Sequence, residues 1–319
     1  MILVKQMAIL FFIMLVGYVC RKRNIINDEG SRVISGIVVN VANPALILSA
    51  GINKDVVIEG KNLLMVSGLS LGVYAFLILS SVIIVRILRL KKSEYGTFKV
   101  MTVFSNIGFM GFPLISSVYG SEALLYASFF VIPYNILIYT WGIHAMKKKE
   151  ETLEDYENCS KVVKENNKKI EWEKIFNIGV IACISTIVIY TGKITVPATV
   201  ESIIGYLSGL TAPLSMMVIG DSMTKMKIRE LILEKKILIF SLLKQILIPL
   251  AGVFILKLTG LDNLMLAVCM IMLATPVGSM TAMLAQQYDG EYELASKGVA
   301  LTTLLSVATI PFVSFLTGL

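Results

Sequence analysis

Residues 105–113 read Ser105-Asn106-Ile107-Gly108-Phe109-Met110-Gly111-Phe112-Pro113, and residues 273–279 read Leu273-Ala274-Thr275-Pro276-Val277-Gly278-Ser279. Both lie in long apolar runs, and both set a proline among glycines and small polar residues near mid-membrane. A proline inside a helix removes one hydrogen bond and clashes with the carbonyl four residues back. In hydrocarbon each freed polar group costs several kcal/mol, so such interruptions persist only where protein or a wet cavity satisfies them. Interrupted helices at corresponding positions of two halves mark the binding site of many secondary transporters. The two stretches therefore predict a pair of broken helices. Where they cross, helix N-termini supply partial positive charge suited to an anion.

Working outward, the chain divides into ten apolar segments, at approximately 6–20, 33–52, 62–85, 100–118, 123–146, 175–192, 203–220, 237–256, 264–286 and 294–316. A bilayer core of roughly 30 Å takes about 20 residues of helix. Mean hydropathy is +0.78 and only 16% of residues are charged, against roughly a quarter in soluble domains. The fold class expected is an all-α integral membrane protein of ten transmembrane helices, with helices 4 and 9 broken.

The 29 Lys and Arg residues orient it. Links after the odd-numbered segments carry about 23 of them. The N-terminus and the even links carry Lys5, Lys54, Lys61, Lys193 and Lys257, and Lys244 alone falls inside a segment. Basic residues stay on the cytoplasmic side, so both termini are expected outside the plasma membrane. The net charge of +7 belongs to this sorting and to contact with anionic lipid; it does not point to nucleic acid. Arg21-Lys22-Arg23 follows the first apolar run instead of preceding it, which predicts a retained first span and not a signal peptide.

One link is long. Residues 147–174 are rich in Glu, Lys and Asn, too polar to fold alone, and are expected to form a cytoplasmic linker. It separates residues 1–146 from 175–319, five segments each. Two units of five spans insert in opposite orientations, so the expected architecture is a pair of inverted repeats. Pro44 and Pro213 lie 169 residues apart (213 less 44), as do Glu122 and Glu291 (291 less 122), which suggests a common register.

The candidate substrate-binding residues are Asn106, Gly111 and Pro113 of the first stretch, Thr275, Pro276 and Gly278 of the second, with Asn43 and Lys244. Asn106 offers a neutral amide able to donate to a carboxylate, and its spacing from Pro113 puts both on nearly one helix face. Lys244 sits mid-span, where a cation is costly and commonly functional. It is read either as the counter-charge of an anionic substrate or a coupling element, or as a lysine that pairs with helix carbonyls or snorkels. No Asp or Glu lies squarely inside a span; Asp221 closes the seventh at its cytoplasmic end. A cation exchanger buries carboxylates, so an organic anion is the expected cargo. Asn135 and the Ser/Thr-rich stretch from Thr302 to Thr317 read as helix packing. His144 reads as interfacial. The four cysteines are scattered without C-x-x-C spacing, so neither disulfide nor metal site is expected, and no cofactor.

The string Ser105 to Leu114, followed by Tyr119-Gly120, resembles the fourth-span signature of the auxin efflux carrier family, whose members include PIN-type auxin exporters and bacterial organic-acid permeases. Pro276-Val277 and Gln287-Tyr288 resemble its ninth span, and Asn43-Pro44 its second. The resemblance runs over essentially the whole chain. It implies a bile-acid-symporter-like fold, with spans 1, 2, 6 and 7 as scaffold and spans 3–5 and 8–10 as a moving transport domain. It further implies prolines at Pro113 and Pro276 marking the crossover, Asn106 on the substrate carboxylate, and a homodimer through the scaffold.

The function expected is a permease for a small organic anion, a mono- or dicarboxylate, working by elevator-type alternating access with H+ or Na+ as candidate coupling ion. The alternative is a membrane sensor or receptor that binds ligand without net transport. An enzyme is not expected: the chain has no H-E-x-x-H, no paired aspartates and no serine with a suitable base.

Overall fold

The computed structural model describes residues 2–52, 60–147, 176–224, 234–288 and 290–319. The expected linker, apart from Lys147, lies outside these residues, as do Lys54 and Cys159. Regular structure within them is helical, with one isolated antiparallel bridge. The helices are α1 (Ile2–Lys22), α2 (Asp28–Ile52), α3 (Gly60–Ile87), α4 (Tyr95–Val103), α5 (Ile107–Ser128), α6 (Val131–Met146), α7 (Ile178–Thr191), α8 (Ala198–Met223), α9 (Lys235–Lys257), α10 (Asn263–Ala274), α11 (Ser279–Gln287) and α12 (Tyr292–Thr317).

Side-chain caps set several of the starts. Asn27 accepts from Gly30 N ahead of α2, Asn177 from Gly179 N and Val180 N ahead of α7, and Asp262 from Met265 N ahead of α10. Each takes up backbone donors that a helix start leaves orphaned. Among the described residues, α1, α2, α3, α8, α9 and α12 are long and apolar enough to cross a bilayer. A seventh span is made if α5 and α6, bent by 48°, count as one, while α7 and α10 are apolar but shorter. The chain is a multi-pass membrane protein.

Of the two prolines expected at breaks, Pro113 is not at one. Pro44, Pro113 and Pro249 each stand two residues beyond a π-turn: Val38–Ala42, Ile107–Gly111 and Leu243–Leu247. In each case the residue before the proline donates to the carbonyl five residues back: Asn43 to Val38, Phe112 to Ile107, Ile248 to Leu243. Widening the turn by one residue relieves the ring of the carbonyl it would strike in an α-turn. Pro113 therefore lies within α5 and not at a break. The sharp feature of α5 is instead Gly120, at φ 78° and ψ −166°, a conformation only glycine adopts readily.

The described ends of the first, third, seventh and ninth links are joined by side-chain contacts at one end of the molecule. Arg21 at the end of α1 lies 3.5 Å from Asp221 of α8, whose other oxygen accepts from Ser31 of α2 at 2.7 Å. Lys236 pairs with Glu94 at 2.9 Å and Lys297 with Glu234 at 3.0 Å. Glu291 N donates to Thr97 Oγ1 at 3.0 Å. At the opposite end Lys257 Nζ caps α12 through the Thr317 carbonyl, 2.6 Å away. Segregated basic links thus share one face of the fold.

α1 and α8 make the closest helix contact. A Cβ built on Gly220 would lie 1.9 Å from the Met14 carbonyl oxygen, and one on Gly17 2.2 Å from that of Met217. Small residues allow such backbone approach where hydrophobic burial gives no drive between helices in lipid. Gly220→Ala is expected to force α1 off α8 and destabilise the protein by about 2–3 kcal/mol. Gly68→Ala, where a Cβ meets nothing within 4 Å, is expected to be neutral or slightly stabilising. Thermal unfolding of the two variants in detergent checks the contrast.

Candidate functional site at a helix crossing

Two helices stop and restart where they meet. α4 ends at Val103 and α5 begins at Ile107; α10 ends at Ala274 and α11 begins at Ser279. The short extended segments between them pair antiparallel, Ser105 opposite Val277. Asn106 N donates to the Pro276 carbonyl at 2.7 Å, and Gly278 N donates to the Phe104 carbonyl at 2.9 Å. Four backbone groups that a helix would have used internally find their partners across the crossing. The exchange is reciprocal, and it equates Ser105 with Val277, an offset of 172 residues (277 less 105). The same offset takes Ile107, first residue of α5, to Ser279, first residue of α11.

At the crossing the offset differs from that of the outlying marks. The offset of 169 suggested by the prolines and glutamates does not align the breaks, and at 172 Pro276 is matched by Phe104, not by Pro113. Pro276 lies in its break. Pro113 lies seven residues beyond Asn106 in α5, buried, with its carbonyl accepting from the Ser117 hydroxyl.

The remaining candidates cluster more closely. Asn106 is the N-cap of α5: its Oδ1 accepts from Phe109 N at 3.2 Å. Because the cap needs an acceptor, it orients the amide, leaving the Nδ2 donors as the part of Asn106 free for a ligand. Thr275 is fully buried, with its hydroxyl on the Met272 carbonyl at 3.1 Å. Gly111 faces it, and a Cβ there would come 3.5 Å from Thr275 Cγ2. A Cβ on Gly278 would lie 3.1 Å from the Ser105 carbonyl, so the pairing itself requires a small residue. Asn43 reaches α5 from α2: its Nδ2 lies 3.2 Å from where a Cβ on Gly108 would stand, and its buried Oδ1 has no partner among the described residues.

Lys244 is fully buried in the π-turn of α9. Its Nζ donates to Ser105 Oγ at 2.8 Å and to the Leu273 carbonyl at 3.0 Å. In this structure the lysine is thus paired with one helix carbonyl and one hydroxyl. Gln245, its neighbour, donates to the Thr302 carbonyl at 2.7 Å. Thr302 Oγ1 in turn accepts from Val277 N at 3.0 Å. Ser105 and Thr302 join the crossing, and neither was among the candidate residues. Thr302 sat in a Ser/Thr-rich helix whose other hydroxyls mostly bond to carbonyls of their own helix, and nothing in the pattern distinguished it. Asn135 is a packing amide as expected, accepting from Asn177 Nδ2 at 2.5 Å. His144 is exposed at the end of α6.

Two clefts flank the crossing. One, a narrow crevice, separates α1 and α8 (Met7, Met14, Met216) from α5 and α12 (Met110, Thr303). The other, equally narrow, runs from Val73 and Tyr74 of α3 to Ser105, Ile107 and Met272. Both are apolar apart from a few hydroxyls.

The family described as "Membrane transport protein" matches residues 2–314. The chain belongs to this family. It is the auxin efflux carrier family that the span-4 string resembles, and the match covers both breaks and all the helices that form them. Two relatives agree with it. A protein named as an uncharacterized transporter from Methanocaldococcus jannaschii is 23% identical over 322 residues, covering 97% of each chain. Another so named, from Methanothermobacter thermautotrophicus, is 22% identical over 306 residues, covering 94% of this chain and 93% of its own. This family member is a membrane transporter.

Thr302→Val keeps shape but leaves the Val277 N–H without its acceptor. The expected cost is about 1–3 kcal/mol. Thr317→Val, which removes a hydroxyl bonded only within its own helix, is expected to cost less. Thermal unfolding of the purified variants measures the difference.

Proposed function

We propose that this transporter is a permease for a small organic anion, a mono- or dicarboxylate, in the plasma membrane. The observation that carries the reading is the crossing. Helices α5 and α11 both begin there, so two sets of first-turn N–H groups and two positive dipole ends converge on one place. The Asn106 amide adds a neutral donor. Such an arrangement stabilises a carboxylate without a buried counter-ion. The apolar crevice that Met110 lines, one turn from Asn106, would face the organic body once it widens.

In the same reading the chain is ten spans in two inverted sets of five, with both termini outside. The breaks α4/α5 and α10/α11 count as the fourth and ninth spans, and the reciprocal pairing at an offset of 172 supports a two-fold relation between the halves. α1 lies along α8, and α2 along α7 and α8, while α3 packs on α4 and α9 on α10. The cleft opens between α1 and α8 of the first group and α5 and α12, which this reading joins to the second. Movement of the second group against the first would carry the crossing from one side to the other, an elevator form of alternating access.

The test is flux of labelled mono- and dicarboxylates into proteoliposomes. Asn106→Ala is expected to weaken apparent affinity about 10- to 100-fold, as for a lost hydrogen bond to a charged group, while Asn135→Ala leaves it near wild type. Unchanged flux in Asn106→Ala, or carriage of cations and no anions, would sink the proposal.

A further inference from the structure

The crossing also brings together the C-terminal ends of α4 and α10. Each helix end concentrates partial negative charge on its unpaired carbonyls, about half an elementary charge per helix. In broken-helix transporters such ends, with unwound carbonyls, are where a coupling cation is held. Here the cation is already covalent. Lys244 Nζ donates to Leu273 O in the last turn of α10 and to Ser105 Oγ in the gap after α4, at 3.0 and 2.8 Å. The carbonyls of Phe104 and Pro276 are taken by Gly278 N and Asn106 N. Among the described residues no carboxylate pairs with Lys244, and its partners from every side are neutral: Ser105, Leu273 and, beside it, Gln245 bound to Thr302. The side chain is fully buried and is held from behind by the π-turn that precedes Pro249.

We propose that the Lys244 ammonium is the resident cation of the crossing, a tethered substitute for a dissociable Na+ between the two helix C-termini. The crossing then holds its shape without any soluble alkali cation. Lys244 is a positioning residue: it acts through Ser105 and Leu273 on the backbone that faces the cargo, not as the cargo's counter-charge. The proposal rests on the transport reading only for its consequence, that carriage does not depend on Na+ bound at this place.

The test is thermal unfolding of the purified full-length protein in sodium, methylammonium or choline chloride at equal ionic strength. The wild-type midpoint is expected to be the same in all three. Lys244→Ala empties an ammonium-sized space with its acceptors intact. Its midpoint is expected to fall in choline and to recover by about 3 °C or more in methylammonium or sodium, which fit where choline does not. A sodium-specific rise in the wild type overturns the proposal, as does a Lys244→Ala protein indifferent to all three salts. If Lys244→Ala does not accumulate, Ser105→Ala carries the test. It removes one partner and no charge, so indifference to sodium supports the resident cation and a sodium response overturns it. No arm contains a carboxylate, so this result and that of the anion flux assay stand or fall separately.

Discussion

Backbone polar groups released in an apolar medium must find partners, and in this protein they find them in each other. Interrupting one helix at Phe104–Asn106 would leave donors and acceptors stranded at several kcal/mol apiece. Interrupting a second at Thr275–Gly278 and laying the two gaps antiparallel converts both liabilities into mutual hydrogen bonds. Neither break is tenable alone. Gly278 follows from this, because a side chain would press on the Ser105 carbonyl. So do the polar residues of α9 and α12, which reach in to serve what the pairing leaves over.

The sequence conveyed much of this and misplaced some of it. Charge sorting was legible because the basic residues are too costly to bury and so record the ends of helices; Arg21, Glu94, Lys236 and Lys297 do lie at one end. The existence of two breaks was legible in Ser105–Pro113 and Leu273–Ser279. Their register was not. Proline is a visible mark, but three of the prolines are absorbed by π-turns, and the first break falls instead at Phe104–Asn106, which contains no proline. No residue type signals a π-turn in advance, and the offset at the pairing differs by three residues from that of the prolines and glutamates. Asn106 was singled out for its face, and the fold makes it a helix cap as well.

Lys244 illustrates a second limit. Its cost in an apolar helix was evident from the sequence, yet cost alone does not say who repays it. Only the fold shows that the partners are a hydroxyl 139 positions away and a carbonyl 29 away. Thr302 is the converse case, an ordinary helical threonine in sequence that holds Val277 in space. The π-turn at Leu243–Leu247 explains why Lys244 and Gln245, though consecutive, are both fully buried and both engaged inward.

The cleft along α1 and α8 is faced from opposite banks by sulfur: Met7, Met14 and Met216 on one, Met110 on the other. Thioether chains are unbranched and polarisable, and they refit to new neighbours at little cost. A boundary surfaced this way behaves more like a bearing than a joint. It also discriminates poorly by shape, so recognition of whatever lodges there falls to the polar tip of the visitor and not to the outline of its carbon skeleton.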